Sequence, residues 1–159
     1  MKRICSVLVE NRSGVLSKIS GLFARRCYNI DSLVVGETDD KAVSCMTIVS
    51  SGDERIMQQI EKQLNKKLDV IKVKTFEESE SICKALLMLR VQYNNKNRKD
   101  IIENCSILGA QIVDMSMTAF LIQICDSPEK VDLFIRMMQP FGISEVARTG
   151  TLALPKCVD

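Results

Sequence analysis

The chain has 159 residues, 46% hydrophobic and 26% charged, with 22 Lys/Arg against 20 Asp/Glu. That composition fits a globular protein of one domain or two small ones, able to bury roughly two-thirds of its unfolded surface without a disulfide or metal staple. Residues 1–76 carry 13 Lys/Arg and 9 Asp/Glu (net +4) and residues 77–159 carry 9 and 11 (net −2), so neither half offers the strongly basic face of a nucleic-acid binder.

There is no histidine, which removes the commonest metal ligand, the commonest general base and every Ser-His or Cys-His triad. The seven cysteines (Cys5, Cys27, Cys45, Cys83, Cys105, Cys125, Cys157) form no Cys-x-x-Cys pair, and that spacing argues against a zinc or redox role. Cys5, Cys45, Cys83 and Cys125 fall in apolar runs and are expected to be small core hydrophobes. No apolar run approaches the roughly 20 residues of a membrane span. The start Met1-Lys2-Arg3-Ile4 lacks the apolar core of a signal peptide, and a cytoplasmic location is expected.

Residues 3–10 read as a strand, followed by a helix from Gly14 to Arg26 with Val15, Leu16, Ile19, Leu22 and Phe23 at helical spacing. Asn29 to Glu37 is a second strand. The polar turn Thr38-Asp39-Asp40-Lys41 returns the chain as a hairpin into Ala42 to Ser50. Ser51-Gly52-Asp53 offers an N-cap for a second helix, whose predicted buried stripe is Ile56, Met57, Ile60, Leu64 and Leu68. Asp69 to Lys74 is the fourth strand, and the charged stretch 76–81 is the expected domain boundary.

The same order then recurs. Ile82 to Tyr93 is the most apolar strand. Ile101, Ile102, Cys105 and Leu108 mark a helix ending at Gly109, a C′ glycine. Gln111 to Met117 and Thr118 to Cys125 are two further strands. Asp126-Ser127-Pro128-Glu129 starts a helix with Pro128 at its first position, and Val131, Phe134, Ile135 and Met138 form its stripe. Gly142 to Thr149 closes the unit, and Thr151 to Leu154 is read as an addition to an edge.

The expected fold is therefore α+β: two tandem ferredoxin-like βαββαβ sandwiches, residues 1–76 and 77–159, each an antiparallel four-stranded sheet with two helices on one face. Such a unit leaves one sheet face and its edge strands uncovered, which favours a homodimer or higher assembly.

The stretch Glu10-Asn11-Arg12-Ser13-Gly14-Val15-Leu16 is a strand–turn–helix junction. The unpaired N–H groups of a first helical turn suit a carboxylate or phosphate. The alternative is an ordinary loop in which Ser13 caps the helix.

Residues Val7 to Leu16 and Asn29-Ile30-Asp31-Ser32-Leu33 resemble an ACT domain, the small amino-acid-sensing module. Met46-Thr47-Ile48, Gln58 to Lys66, Asp69 to Val73, Gly109 to Asp114 and Glu145 to Gly150 extend the likeness to the regulatory (small) subunit of acetolactate synthase, or acetohydroxyacid synthase. The resemblance implies a non-catalytic protein. It would activate a thiamine-diphosphate-dependent catalytic subunit and confer feedback inhibition by a branched-chain amino acid, most readily valine. Thiamine diphosphate, Mg and FAD would belong to that large subunit, and no cofactor to this chain. Effector sites in the family lie at the dimer interface of the ACT domains.

Carried onto this sequence, the effector-binding residues are Asn11, Ser13, Gly14, Val15, Leu16, Asn29, Ile30 and Val35. Backbone N–H groups at Gly14, Val15 and Leu16 serve a carboxylate, and the amides of Asn11 and Asn29 match a zwitterion. Val15, Ile30 and Val35 offer an apolar wall. The competing roles are turn formation for the asparagines and plain core packing for Val15 and Ile30. Cys27 stands where the family usually has glycine, so either the first helix ends differently or a left-handed residue is tolerated. Two other classes compete with this reading. A free-standing amino-acid-responsive transcriptional regulator lacks a visible helix-turn-helix. An enzyme would have to rely on adjacent acidic pairs, Asp39-Asp40 and Asp53-Glu54, that look like solvated caps.

Overall fold

A computed structural model describes residues 2–52 and 54–157. The chain forms two compact units, residues 2–82 with 151–157, and residues 83–150. The expected boundary at 76/77 lies instead within the end of a strand, and the last residues return to the first unit.

The first unit runs β1 (Lys2–Glu10), α1 (Val15–Arg25), β2 (Ser32–Glu37), β3 (Val43–Ser51), α2 (Glu54–Leu64) and β4 (Val70–Glu77). Its sheet is antiparallel in the order β2-β3-β1-β4, so β2 and β4 are the edges. Alternation along β1 sends Cys5, Val7 and Val9 to the helix side, where they meet Val15, Ile19, Leu22 and Phe23 of α1 and Met57, Ile60 and Leu64 of α2. The opposite face is not bare at its lower end. Ile4, cross-strand to both Val49 and Phe76, is buried with them. Buried Ala153 lies in β9 (Leu152–Pro155), which runs against β1. Thr151 N donates to Ser32 Oγ at 2.6 Å and Lys156 N to Glu80 O at 2.9 Å.

The second unit repeats the plan with β5 (Ser81–Gln92, beginning in the first unit), α3 (Arg98–Leu108), β6 (Gln111–Met115), β7 (Ala119–Asp126), α4 (Pro128–Met138) and β8 (Ile143–Arg148), in the sheet order β6-β7-β5-β8. Leu87, Leu89 and Val91 of β5 pack with Ile101, Cys105, Val131 and Phe134. The helix signals read from sequence act as expected. Gly109 closes α3 at φ 72, and Ser127 Oγ accepts from Lys130 N with Pro128 opening α4. The tandem ferredoxin-like expectation holds.

Four local expectations change. α2 ends at Leu64, because Lys67 N and Val70 N donate to Leu64 O and Lys67 O and turn the chain, so Leu68 is 97% exposed rather than part of the stripe. β2 begins at Ser32, leaving Asn29 to Asp31 in the preceding loop. Phe76 is a buried residue of β4 and not part of a linker. Cys125 is exposed and Cys45 and Cys83 are half-buried, since Cys125 pairs with Leu86 on the sheet face turned away from the helices. Asp53, the last residue of the N-cap expected from Ser51-Gly52-Asp53 and one member of the Asp53-Glu54 pair, lies outside the described residues. No described helix is long and apolar enough to cross a membrane.

Candidate functional site

The junction after β1 is built around Gly14, which takes φ 86 and ψ −9 as the N-cap of α1. The cap position falls on Gly14 and not on Ser13, and among the described residues the Ser13 side chain makes no bond to the helix. Val15 N donates to Arg12 O at 3.3 Å and Lys18 N to Gly14 O at 3.0 Å. Among the described residues no backbone acceptor meets the amides of Gly14, Leu16 or Ser17, and these are the first-turn donors that an anion would find. Val15 is 2% exposed and packs in the core, while Leu16 is 44% exposed beside the open amides.

Asn11 is tied across to the far edge of the sheet. Its backbone N–H donates to Ala42 O at 2.8 Å, and its Nδ2 donates to Glu37 Oε1 at 3.1 Å and Lys41 O at 2.9 Å. Those bonds orient the side chain and leave Asn11 Oδ1 without a donor among the described residues. Asn11 therefore belongs to the Glu37 end of β2.

Asn29 belongs to the other end. Its Nδ2 donates to Asp31 Oδ1 at 2.5 Å, its carbonyl accepts from Ser50 Oγ at 2.6 Å, and Ser51 Oγ donates to Asp31 Oδ2. Ile30 is half-buried against the core, and Val35 is 40% exposed on edge strand β2. Registers make the separation explicit. Ser32 pairs with Val49 at the level of Ile4, and Glu37 pairs with Ser44 at the level of Val9. That is five residues of strand, or about 17 Å. Within one chain the sequence-predicted residues thus form two clusters, Asn11 to Leu16 at one end of β2 and Asn29 with Ile30 at the other.

The Cys27 question is settled by the end of α1. Cys27 is left-handed at φ 55, Tyr28 N donates to Phe23 O at 3.0 Å and Cys27 N to Ala24 O at 3.1 Å. This is the paired bonding of a Schellman ending. Tyr28 both packs against the core and donates its hydroxyl to Gln59 Oε1 at 2.8 Å.

Asp69 is the residue that sequence reasoning missed. It is 7% exposed, with Oδ1 accepting from Arg12 at 2.7 Å and Oδ2 from Lys18 at 2.9 Å. Hydrogen bonds from Lys18 first, then Arg12, hold its carboxyl below the usual range. As the first polar residue of an alternating strand it had no visible signal. Its partners lie 51 and 57 positions away. No group of three or more Cys, Asp or Glu with metal-binding geometry occurs among the described residues.

Comparison with known proteins agrees along the whole chain. Residues 5–72 match the profile of the "AHAS small subunit-like ACT domain", and residues 84–157 that of the "Small subunit of acetolactate synthase". The "Probable acetolactate synthase small subunit" of Archaeoglobus fulgidus is 44% identical over 97% of this chain and 96% of its own length. The "Acetolactate synthase isozyme 3 small subunit" of Salmonella typhimurium is 39% identical over 98% and 96%. The crystal structure of the acetolactate synthase small subunit from Thermotoga maritima superposes with a TM-score of 0.95 at 30% identity, covering 100% of this chain and 99% of that one. With both halves matched in order, and these relatives covering 97% or more of the chain, this protein belongs to the family of acetolactate synthase small subunits.

Proposed function

We propose that this chain is the non-catalytic regulatory subunit of acetolactate synthase, associating with the catalytic large subunit, raising its activity and conferring feedback inhibition by a branched-chain amino acid, with valine the first candidate. Thiamine diphosphate, Mg and FAD would be held by the large subunit. The observation that carries the reading is the split site: two clusters suited to opposite parts of one zwitterion, at the two ends of edge strand β2.

An edge strand can be extended by a second copy of itself. Antiparallel pairing of β2 with its own two-fold mate, centred near Val34 and Val35, runs the Glu37 end of one copy against the Ser32 end of the other. Each junction amide cluster then faces the Asn29 cluster of a second copy, and a homodimer carries two equivalent sites. The open amides near Gly14 serve the carboxylate, Asn11 Oδ1 and the Asn29 region serve the ammonium group, and Val35 with Leu16 and Ile30 shapes the apolar wall.

The test is calorimetry of the full chain with valine, leucine and isoleucine, paired with acetolactate production by the catalytic subunit with and without this chain and each amino acid. Unchanged production under every condition would sink the regulatory reading. Gly14→Asp adds a carboxylate that repels the ligand's own, and it is expected to abolish the amino-acid response while sparing subunit association.

A further inference from the structure

Gly14 has no side chain to hold it, and Ser13 does not cap the helix behind it. What fixes the junction comes from elsewhere in the chain. Asp69 lies in the tight turn between α2 and β4, where Val70 N donates to Lys67 O at 3.1 Å. From there it reaches the junction three times. Its carbonyl accepts from Glu10 N at 2.9 Å, its Oδ1 takes Arg12 two residues before Gly14, and its Oδ2 takes Lys18 four residues after it. Arg12 also meets Glu10 Oε2 at 2.5 Å. The Asp69 side chain is 10% exposed whereas the two cations are 62% and 61% exposed. The fixed partner is therefore the carboxylate, and the flexible side chains are drawn onto it.

We propose that Asp69 is the positioning residue of the effector site: by clamping Arg12 and Lys18 on either side of Gly14, it sets the direction of the open first-turn amides that receive the ligand carboxylate. This rests on the amino-acid-binding reading above. Asp69 itself touches no ligand. A loop whose left-handed glycine is uncapped has many accessible conformations, and each one excluded before binding is ordering that the ligand need not impose. The clamp also makes the α2–β4 turn a participant in the site although it contributes no contact to it.

Calorimetry with valine on the full chain tests this with Asp69→Asn, which keeps the shape and the Glu10 bond while removing the charge. Asp126→Asn is the matched control, because Asp126 likewise holds two cations, Lys84 and Lys130, but in the second unit. Asp69→Asn is expected to weaken valine binding about tenfold or more, and Lys18→Gln to weaken it in the same direction. Lys18→Arg should retain it, and Asp126→Asn should leave it unchanged even if it lowers the melting temperature. In the absence of any amino acid, the amide resonances of Gly14 and Leu16 should shift in Asp69→Asn. Unaltered valine affinity together with unmoved Gly14 and Leu16 resonances in Asp69→Asn and Lys18→Gln would overturn the inference. Failure of the wild-type chain to bind any of the three amino acids, with the resonance shift still seen in Asp69→Asn, would remove the effector reading and leave the positioning of the junction standing.

Discussion

Asn11 and Asn29 stand at opposite ends of edge strand β2, one bonded to Glu37 and the other beside the Ser50 end of β3. Two residues so placed cannot grip one small molecule within a single chain. They can do so across a two-fold axis, and that geometry makes a distinctive demand on mixed assemblies.

If the two clusters meet across a homodimer as proposed, chains carrying Asn11→Ala and chains carrying Asn29→Ala should each bind valine poorly, because each such homodimer would lose a hydrogen-bonding group from both sites. The loss is expected to be about 1.5–3 kcal/mol where the group meets a ligand charge. Unfolded and refolded together, the two variants form mixed dimers in which one site keeps both asparagines and the other loses both. Recovery of high-affinity binding at reduced stoichiometry, read by calorimetry, is the expected result. Sites formed within one chain would show no recovery at all.

Two left-handed positions bracket α1 and should respond oppositely to substitution. Cys27 at φ 55 carries a side chain in a region that costs a non-glycine residue about 1–2 kcal/mol, against about 0.5–1 kcal/mol for the greater freedom of glycine in the unfolded chain. Cys27→Gly should therefore raise stability by about 0.5–1 kcal/mol in urea denaturation. Gly14→Ala should lower it by about 0.5–1 kcal/mol, the left-handed strain less the same unfolded-state offset, with no clash contributing, since an added Cβ there meets nothing within 4 Å.

Acid should act on the second unit through Asp126. Bonds from Lys130, then Lys84, then Ser127 N hold its carboxyl well below the ordinary value of 3.8. A depressed carboxylate contributes stability that is present above the unfolded value and lost as pH falls through the folded one. Denaturation between pH 5 and 2 (about 4 being the unfolded midpoint) should show this loss in wild type. Asp126→Asn should be less stable at neutral pH and have a flatter acid limb. Equal acid limbs in the two proteins would exclude Asp126 as their source.

The thiols should separate by environment. Burial, with Glu61 nearby, pushes Cys5 up to about 12, and burial pushes Cys105 up to about 11. Cys27, Cys125 and Cys157 are exposed. Alkylation with iodoacetamide near pH 8, followed by peptide mass spectrometry, should label these three first and reach Cys5 and Cys105 only on unfolding.

Much of this molecule was legible because its local signals agree with its fold. Ser127-Pro128 announces α4, Gly109 ends α3, and the spacing of Val15, Ile19, Leu22 and Phe23 gives α1 its buried face. Legibility failed where a residue's role depends on distant partners. Asp69 looks like an ordinary strand start, and only the fold brings Arg12 and Lys18 to it. Leu68 fits the helical period of α2, yet the turn at residues 64–70 ends the helix first and leaves it in solvent. Asn11 and Asn29 were recognisable by type and motif, but their separation along β2 follows from strand register, which one-dimensional spacing does not encode.

The return of residues 151–157 to the first unit bears on how the protein is made. A ribosome releases the chain from its N-terminus, and domains that are continuous in sequence can close as they emerge. Here residues 83–150 have all their strands and helices before residues 151–157 are made. The first unit, though it begins to emerge earlier, gains Ala153 and the bonds from Thr151 and Lys156 only after residues 83–150 have been made. The unit begun first is thus completed after the one that it encloses in sequence.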